Sequence, residues 1–293
     1  PGLLFTSCAW VDTLHHQPVG LVPSPSWIPR LLSGERVELK PFTSGQEGAT
    51  PGLLVFSPEG DHVALTSHTG ELVVYDTGDW REALRITEPL SAPAASVEFV
   101  DEVIVLASRD GSERRAWSVT TRLELPAPAR PPGRVRARDG SLSADYGDDH
   151  VVTVLDAKGE PTTTLVTEQN VVTVAAFSYD SKLLATGGMH NTVCLWDLQY
   201  RVLIRSFVAH QRVTGVTFSP DDRYVASTGN NELRIWRVGD GQILRALKSP
   251  DFLGPVAWSP DGRWIAVVHV HSDGDFAGTV VFHPTPSVTS QRA

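Results

Sequence analysis

Apolar and polar residues alternate along this chain in short runs, and turn residues interrupt each run before it reaches helical length. Residues 171–177 alternate and are rich in valine, 178–181 read as a turn, and 182–188 form a second apolar run that ends in two glycines. Residues 191–197 and 201–207 give a third and a fourth run. The pattern predicts four antiparallel strands in a meander, because connections this short cannot carry a crossover. The stretch that follows repeats the plan with 213–218, 224–227, 232–236 and 243–247. Helical periodicity is nearly absent, so the expectation is an all-β protein.

A phrase recurs at the join between the first and second strand of each unit. It reads Phe56-Ser57-Pro58-Glu59-Gly60, Phe177-Ser178-Tyr179-Asp180, Phe218-Ser219-Pro220-Asp221-Asp222 and Trp258-Ser259-Pro260-Asp261-Gly262, and its last three aromatics lie 41 and 40 positions apart. A period of this size belongs to arrays of one supersecondary unit, in which each unit buries its apolar faces only against its neighbours. The end of the third strand can be followed in the same way. Tyr75-Asp76, Trp117-Ser118, Leu155-Asp156, Trp196-Asp197, Trp236-Arg237 and Phe282-His283 are spaced 42, 38, 41, 40 and 46 residues apart, which predicts six units. A seventh is read upstream, with strands at 3–10, 18–22, 27–32 and 36–42, made irregular by prolines at 18, 23, 25 and 29.

Trp196-Asp197 closing a third strand, Ala209-His210 ahead of a first strand and the Phe-Ser-Pro-Asp turn together resemble the WD40 repeat. The resemblance implies a β-propeller with one four-stranded antiparallel blade per repeat around a central channel. Seven blades are expected, at roughly 2–48, 49–92, 93–132, 133–169, 170–210, 211–251 and 252–288, in a single domain spanning 1–293; six is the alternative. The tail after Phe282 offers no fourth strand for the last blade. Either residues 3–7 close the ring or the closing segment belongs to chain outside this sequence, which begins at Pro1 and is expected to have lost its initiator or to be part of a longer polypeptide.

The same resemblance implies a hydrogen-bond network inside each blade, linking a histidine before strand one, a hydroxyl on strand two, an acid before strand three and the strand-three Trp. In the 211–251 blade the positions are His210, Ser227, Asn230 and Trp236; in the 170–210 blade they are Gln169, Thr186, His190 and Trp196. The network is therefore expected to be incomplete, with apolar stacking carrying more of the stability. The resemblance also places a partner on the narrower propeller face, through Arg212, Thr214 and Gly229, Val171, Thr173 and Met189, Thr50 and His68, and Phe252 and Asp275. Met189 is the only methionine of the chain, a flexible apolar side chain suited to partner surfaces.

Composition narrows the function classes. The formal net charge is −9 over 293 residues, which argues against a nucleic-acid partner, since phosphate binding needs a basic stripe. Arginines at 109, 114, 115, 122, 130, 134, 136 and 138 are interleaved with Asp110, Glu113, Glu124 and Asp139 and read as a solvated, ion-paired face, with an anionic partner as the alternative. Two cysteines, Cys8 and Cys194, cannot make a disulfide framework and point to a reducing, cytoplasmic setting. No run approaches a membrane span and no leader is visible, so a soluble chain with no membrane partner is expected. Arginine outnumbers lysine, of which there are only Lys40, Lys158, Lys182 and Lys248; this skew hints at a bacterial source.

The one cluster with catalytic appearance is His269-Val270-His271-Ser272-Asp273-Gly274-Asp275. Strand alternation puts His269 and His271 on one face with Asp273 and Asp275 just beyond, ligand types for zinc, and the run resembles the His-x-His-x-Asp-His motif of metallo-β-lactamase-like hydrolases, with Gly274 where the last histidine belongs. A lengthened loop between strands explains it without chemistry. His15-His16 and Ser67-His68 read as loop residues, and no phosphate-binding glycine loop appears. The expectation is a protein-interaction scaffold, or a recognition and signalling module of a larger polypeptide, with no catalysis and no cofactor, binding a protein, a peptide or another domain of its own chain. The rivals are a metal-dependent hydrolytic site at His269, His271, Asp273 and Asp275 and small-ligand binding in the central channel. Replacing Trp196 or Trp236 by alanine is expected to cost about 3–5 kcal/mol of stability; a melting curve unchanged by both would contradict the blade assignment.

Overall fold

The computed structural model describes residues 37–39, 42, 51–67, 71–87, 90, 94–100, 102–108, 113–127, 135–147, 150–169, 171–270 and 278–284. The described strands form six sheets of four strands each. Blade one is β2 (Pro51–Phe56), β3 (His62–Ser67), β4 (Leu72–Asp76) and β5 (Glu82–Ile86). Blade two is β6 (Ala94–Val100), β7 (Val103–Ser108), β8 (Arg114–Ser118) and β9 (Glu124–Leu125). Blade three is β10 (Val135–Arg136), β11 (Leu142–Tyr146), β12 (Val151–Asp156) and β13 (Pro161–Val166). Blade four is β14 (Val172–Phe177), β15 (Leu183–Gly188), β16 (Thr192–Asp197) and β17 (Val202–Val208). Blade five is β18 (Gly215–Phe218), β19 (Tyr224–Gly229), β20 (Glu232–Arg237) and β21 (Ile243–Lys248). All six third-strand positions read from the spacing fall on a third strand.

Blade six corrects the expected count and explains the closure. It contains β22 (Phe252–Trp258), β23 (Trp264–Val270) and β24 (Gly278–Pro284), and its outer strand is β1 (Val37–Leu39), taken from the other end of the chain. β1 lies antiparallel to β24 with Val37 opposite Phe282 and Leu39 opposite Val280. Val37–Leu39, within the segment 36–42 expected as the last strand of a seventh blade, thus complete the sixth, and the described residues contain six blades. The other expected strands of that seventh blade, with residues 3–7, lie outside the described residues.

The recurring phrase is the turn between the first two strands of a blade. Its serine is buried and its hydroxyl accepts the backbone N–H five residues on, from His62, Leu183, Tyr224 and Trp264 at 2.8–3.0 Å. The same hydroxyl donates to Asp61, Asp180, Asp221 or Asp261 at 2.6–2.8 Å. The last turn position is left-handed in five blades, at Gly60, Gly140, Ser181, Asp222 and Gly262, with φ between 57° and 78°, a conformation that costs glycine nothing.

Apolar packing runs between blades. Phe207 of blade four stacks on Trp236 of blade five at 4.9 Å, and Leu233, Ile235 and Leu247 of blade five pack with Leu253, Trp258 and Ile265 of blade six. The seam between blade six and blade one is aromatic: Trp80 meets Trp264 at 5.1 Å and Phe282 at 4.4 Å. Val37 and Leu39 pack against this cluster, so β1 adds apolar cover as well as ladder hydrogen bonds. The double change Val37→Asp with Leu39→Asp places two carboxylates against that cluster. It is expected to lower unfolding free energy by about 2 kcal/mol or more in denaturant titration; an unchanged midpoint would show that β1 does not hold the ring.

Candidate functional site

Two polar networks lock the best-formed blades. In blade five the His210 Nε2 lies 3.1 Å from Ser227 Oγ, and the Trp236 indole donates to the same oxygen at 2.9 Å. Asn230, expected in the acid's place, turns left-handed with φ 51° and its carbonyl accepts the Leu253 N–H at 2.7 Å. In blade four three of the four positions are linked, with glutamine as the first member. Gln169 is fully buried; its Oε1 accepts from Thr186 Oγ1 at 2.9 Å, its amide donates to the Thr192 carbonyl at 2.8 Å, and Trp196 donates to Thr186 at 3.1 Å. His190 is exposed and stands outside this network, a correction to the expected set. The loss of histidine is compensated rather than left open, because an amide offers both a donor and an acceptor.

The residues expected on the narrower face divide into two kinds. Thr173 donates its hydroxyl to the Val213 carbonyl at 2.9 Å and Thr214 to the Leu253 carbonyl at 2.7 Å, so each ties its blade to the next. Gly229 is buried, and a Cβ there would sit 2.1 Å from the Arg212 carbonyl oxygen; it lets the chain approach closely and presents no side chain. Val171 is half-buried and its carbonyl accepts the Met189 N–H at 3.3 Å. Met189, Arg212 and Phe252 are exposed, Met189 at 47% and Phe252 at 38%. Backbone hydrogen bonds join these positions in series: Val213 N–H to the Gly188 carbonyl at 3.0 Å, and Leu253 N–H to the Asn230 carbonyl at 2.7 Å. Two apolar side chains and one guanidinium therefore project from adjoining strand ends of three successive blades. Thr50, His68 and Asp275 lie outside the described residues.

Other candidate chemistry is placed as follows. His269 sits at the end of β23 with Nδ1 3.3 Å from Asp251 Oδ2 and 3.3 Å from Ser249 Oγ. His271, Asp273 and Asp275 lie outside the described residues, as do Cys8, His15 and His16. Among the described residues no group of three or more His, Cys, Asp or Glu could hold a metal. In the arginine-rich segment Arg115 pairs with Glu124 at 2.9 Å and Arg114 with Glu98 at 3.4 Å; Arg109, Arg130 and Arg134 are outside the described residues. Cys194 is a free, buried thiol.

Sequence reasoning missed a set of contacts across the opposite end of the ring. Arg138, in the first turn of blade three, donates to the Pro58 carbonyl of blade one and lies over the Tyr179 ring of blade four at 5.2 Å. The Tyr179 hydroxyl reaches the Trp258 carbonyl of blade six at 3.4 Å, and burial pushes that phenol well above its ordinary range. Asp222 of blade five accepts the Tyr179 and Asp180 N–H groups at 2.7 and 2.9 Å. The available signal was Tyr179 itself, which stands where three other turns carry proline.

A ring of four-stranded antiparallel blades, closed by pairing the two ends of the chain, defines the protein as a β-propeller. The family model "WD domain, G-beta repeat" matches residues 159–197 and 201–237. The chain thus carries two WD40 repeats. Similar stretches occur in Protein hir1 of Schizosaccharomyces pombe, 30% identical over 111 residues, which is 35% of this chain and 12% of that protein. WD repeat-containing protein slp1 of the same yeast is 31% identical over 135 residues, 43% of this chain and 28% of its own length. Pre-mRNA-processing factor 19 homolog 2 of Arabidopsis thaliana is 26% identical over 96 residues, 32% of this chain and 18% of that protein. The similarity therefore spans well under a third of each relative. Together with a further match in mouse, these relatives are eukaryotic, which overturns the expectation of a bacterial source drawn from the arginine excess.

Burial, with Arg234 beside it, pushes His210 down to about 4, so the imidazole is neutral at pH 7 and its 3.9 Å approach to Glu232 is not an ion pair there. A folded value below the unfolded one, about 6.5, means the contribution is full above about pH 6.5 and is lost as the pH falls toward about 4. The loss is on the order of 3 kcal/mol by linkage. His210→Gln, which copies the natural arrangement at Gln169, is expected to keep the fold and to remove this part of the acid sensitivity in unfolding free energies measured across that range. Identical pH profiles for the two proteins would refute the assignment.

Proposed function

We propose that this WD40 propeller is a protein-interaction scaffold or recognition module with no catalysis of its own. Its partner is a protein, a peptide or another domain of the same longer polypeptide, held on the arc formed by Met189, Arg212 and Phe252. The observation that carries the reading is that exposed Met189 and Phe252 flank exposed Arg212 on adjoining strand ends, each of which is fixed by inter-blade hydrogen bonds. Methionine and aromatic side chains supply adaptable apolar area and arginine a frequent hot-spot contact. A rigid support of this kind lowers the ordering cost of binding.

Nucleic acid and membrane surfaces are left out of the reading. The chain is acidic overall, and the described Arg114 and Arg115 are already paired with carboxylates. Among the described residues no helix is long and apolar enough to cross a membrane. A cytoplasmic setting is consistent with the reduced Cys194. Partners captured by the wild-type protein from extracts of its source are expected to be lost from Met189→Glu and from Arg212→Glu, at unchanged melting temperature. Partners retained by both variants would place the interface elsewhere.

A further inference from the structure

Each blade ends in an outer strand whose far edge has no further strand beyond it among the described residues. Such edges are normally blunted by shortness, charge or proline, and five of the six obey. β1 and β9 have three and two residues, β5 carries Glu82 and Arg85, β13 starts at Pro161 and continues with threonines, and β21 contains Arg245 and Lys248. β17 is the exception. It runs seven residues without proline or acid, and Val202, Leu203, Ile204 and Val208 are between 43% and 76% exposed.

Arg205 and Phe207 pair with Leu195 and Val193 and share their face toward blade five, where Phe207 stacks on Trp236; a register shift at Ile204 puts Val202, opposite Asp197, on that face too. Leu203 and Ser206, opposite Trp196 and Cys194, take the other face together with Val208, and Ser206 lies 3.6 Å from the Cys194 sulfur. Exposed apolar side chains thus flank the free edge on both faces. The strand's single charge, Arg205, is half-buried. Its Nη2 makes only a long contact to the Gly239 carbonyl at 3.4 Å, its Nε is buried without an acceptor, and no described carboxylate pairs with it.

We infer that β17 is a second docking edge, at which an extended segment of a partner protein adds a fifth strand to blade four, with apolar residues on both faces and a carboxylate opposite Arg205. Strand addition supplies affinity through main-chain hydrogen bonds and specificity through cross-strand pairs. Charge selects the occupant. β17 contains no acid, so pairing with a second copy of itself leaves both guanidinium groups uncompensated in every register, whereas an acidic strand neutralises the one present. This edge lies on the outer circumference, apart from the arc that includes Met189, and stands or falls independently of it.

The test uses the whole chain and an end-capped peptide, Ser-Thr-Val-Val-Glu-Val-Thr-Ser, with a twin carrying lysine in place of glutamate. Amide shift mapping is expected to show saturable binding centred on β17, roughly fivefold weaker for the lysine twin. Arg205→Glu is expected to reverse that preference. Ile204→Lys, at an exposed position that leaves folding intact, is expected to weaken both peptides. The inference is overturned by absence of saturable binding at millimolar peptide, or by equal affinity for the two peptides. Concentration-dependent dimerisation abolished by Ile204→Lys would also overturn it, by making a second copy the occupant.

Discussion

The structure depends on closing the ring. A four-stranded sheet with two apolar faces cannot stay in water alone, and each blade gains cover only from the blades on either side. Five junctions follow from chain order, because the next blade is always the next stretch of sequence. The sixth must join residues at opposite ends of the described chain. The three residues of β1 do this by lying beside β24, while Trp80, Trp264 and Phe282 fill the seam. Without that junction the faces of blades one and six would be left open to solvent, so three residues govern the burial of many more.

Polar groups act within this frame as specifiers. The buried turn serines and the networks around Ser227 and Thr186 each satisfy donors and acceptors that would otherwise be stranded. The exchange of histidine for Gln169 shows that the constraint is on hydrogen-bond capacity and position, not on residue identity. At the opposite end of the ring, Arg138 and Tyr179 connect turns of blades that are not neighbours. They tie the inner turns of the ring together.

Much of the fold was legible because its signals are local and periodic. The turn phrase has a fixed hydrogen-bond pattern, and the third-strand positions from Tyr75 to Phe282 could be counted. The closing strand could not be read. Val37-Glu38-Leu39 is too short to show a period, and its partner lies more than two hundred residues away, so residues 36–42 read equally well as the last strand of a separate blade. The site was legible only in part. Thr173 and Thr214 occupy rim positions in the motif, yet a threonine that faces a partner and one that ties two blades look alike until the neighbouring carbonyl is placed. His190 looked like a substitute network histidine because spacing alone cannot show that Gln169 already holds the place.

The outer strands separate two demands that the sequence mixes. Inside a blade, apolar residues on both faces are needed because both faces are covered; on the last strand the same composition leaves part of each face bare. Most outer strands resolve this with charge, proline or brevity, and β17 does not. Phe207 accounts for one of its apolar positions by stacking on Trp236, and packing within the ring does not account for Val202, Ile204 and Val208 in the same way. Nor does the ring account for Arg205, whose half-buried guanidinium bears a desolvation cost without a counter-charge. Exposed apolar residues that burden solubility on an otherwise blunted set of edges are more economically explained by a surface that is covered when the protein is at work.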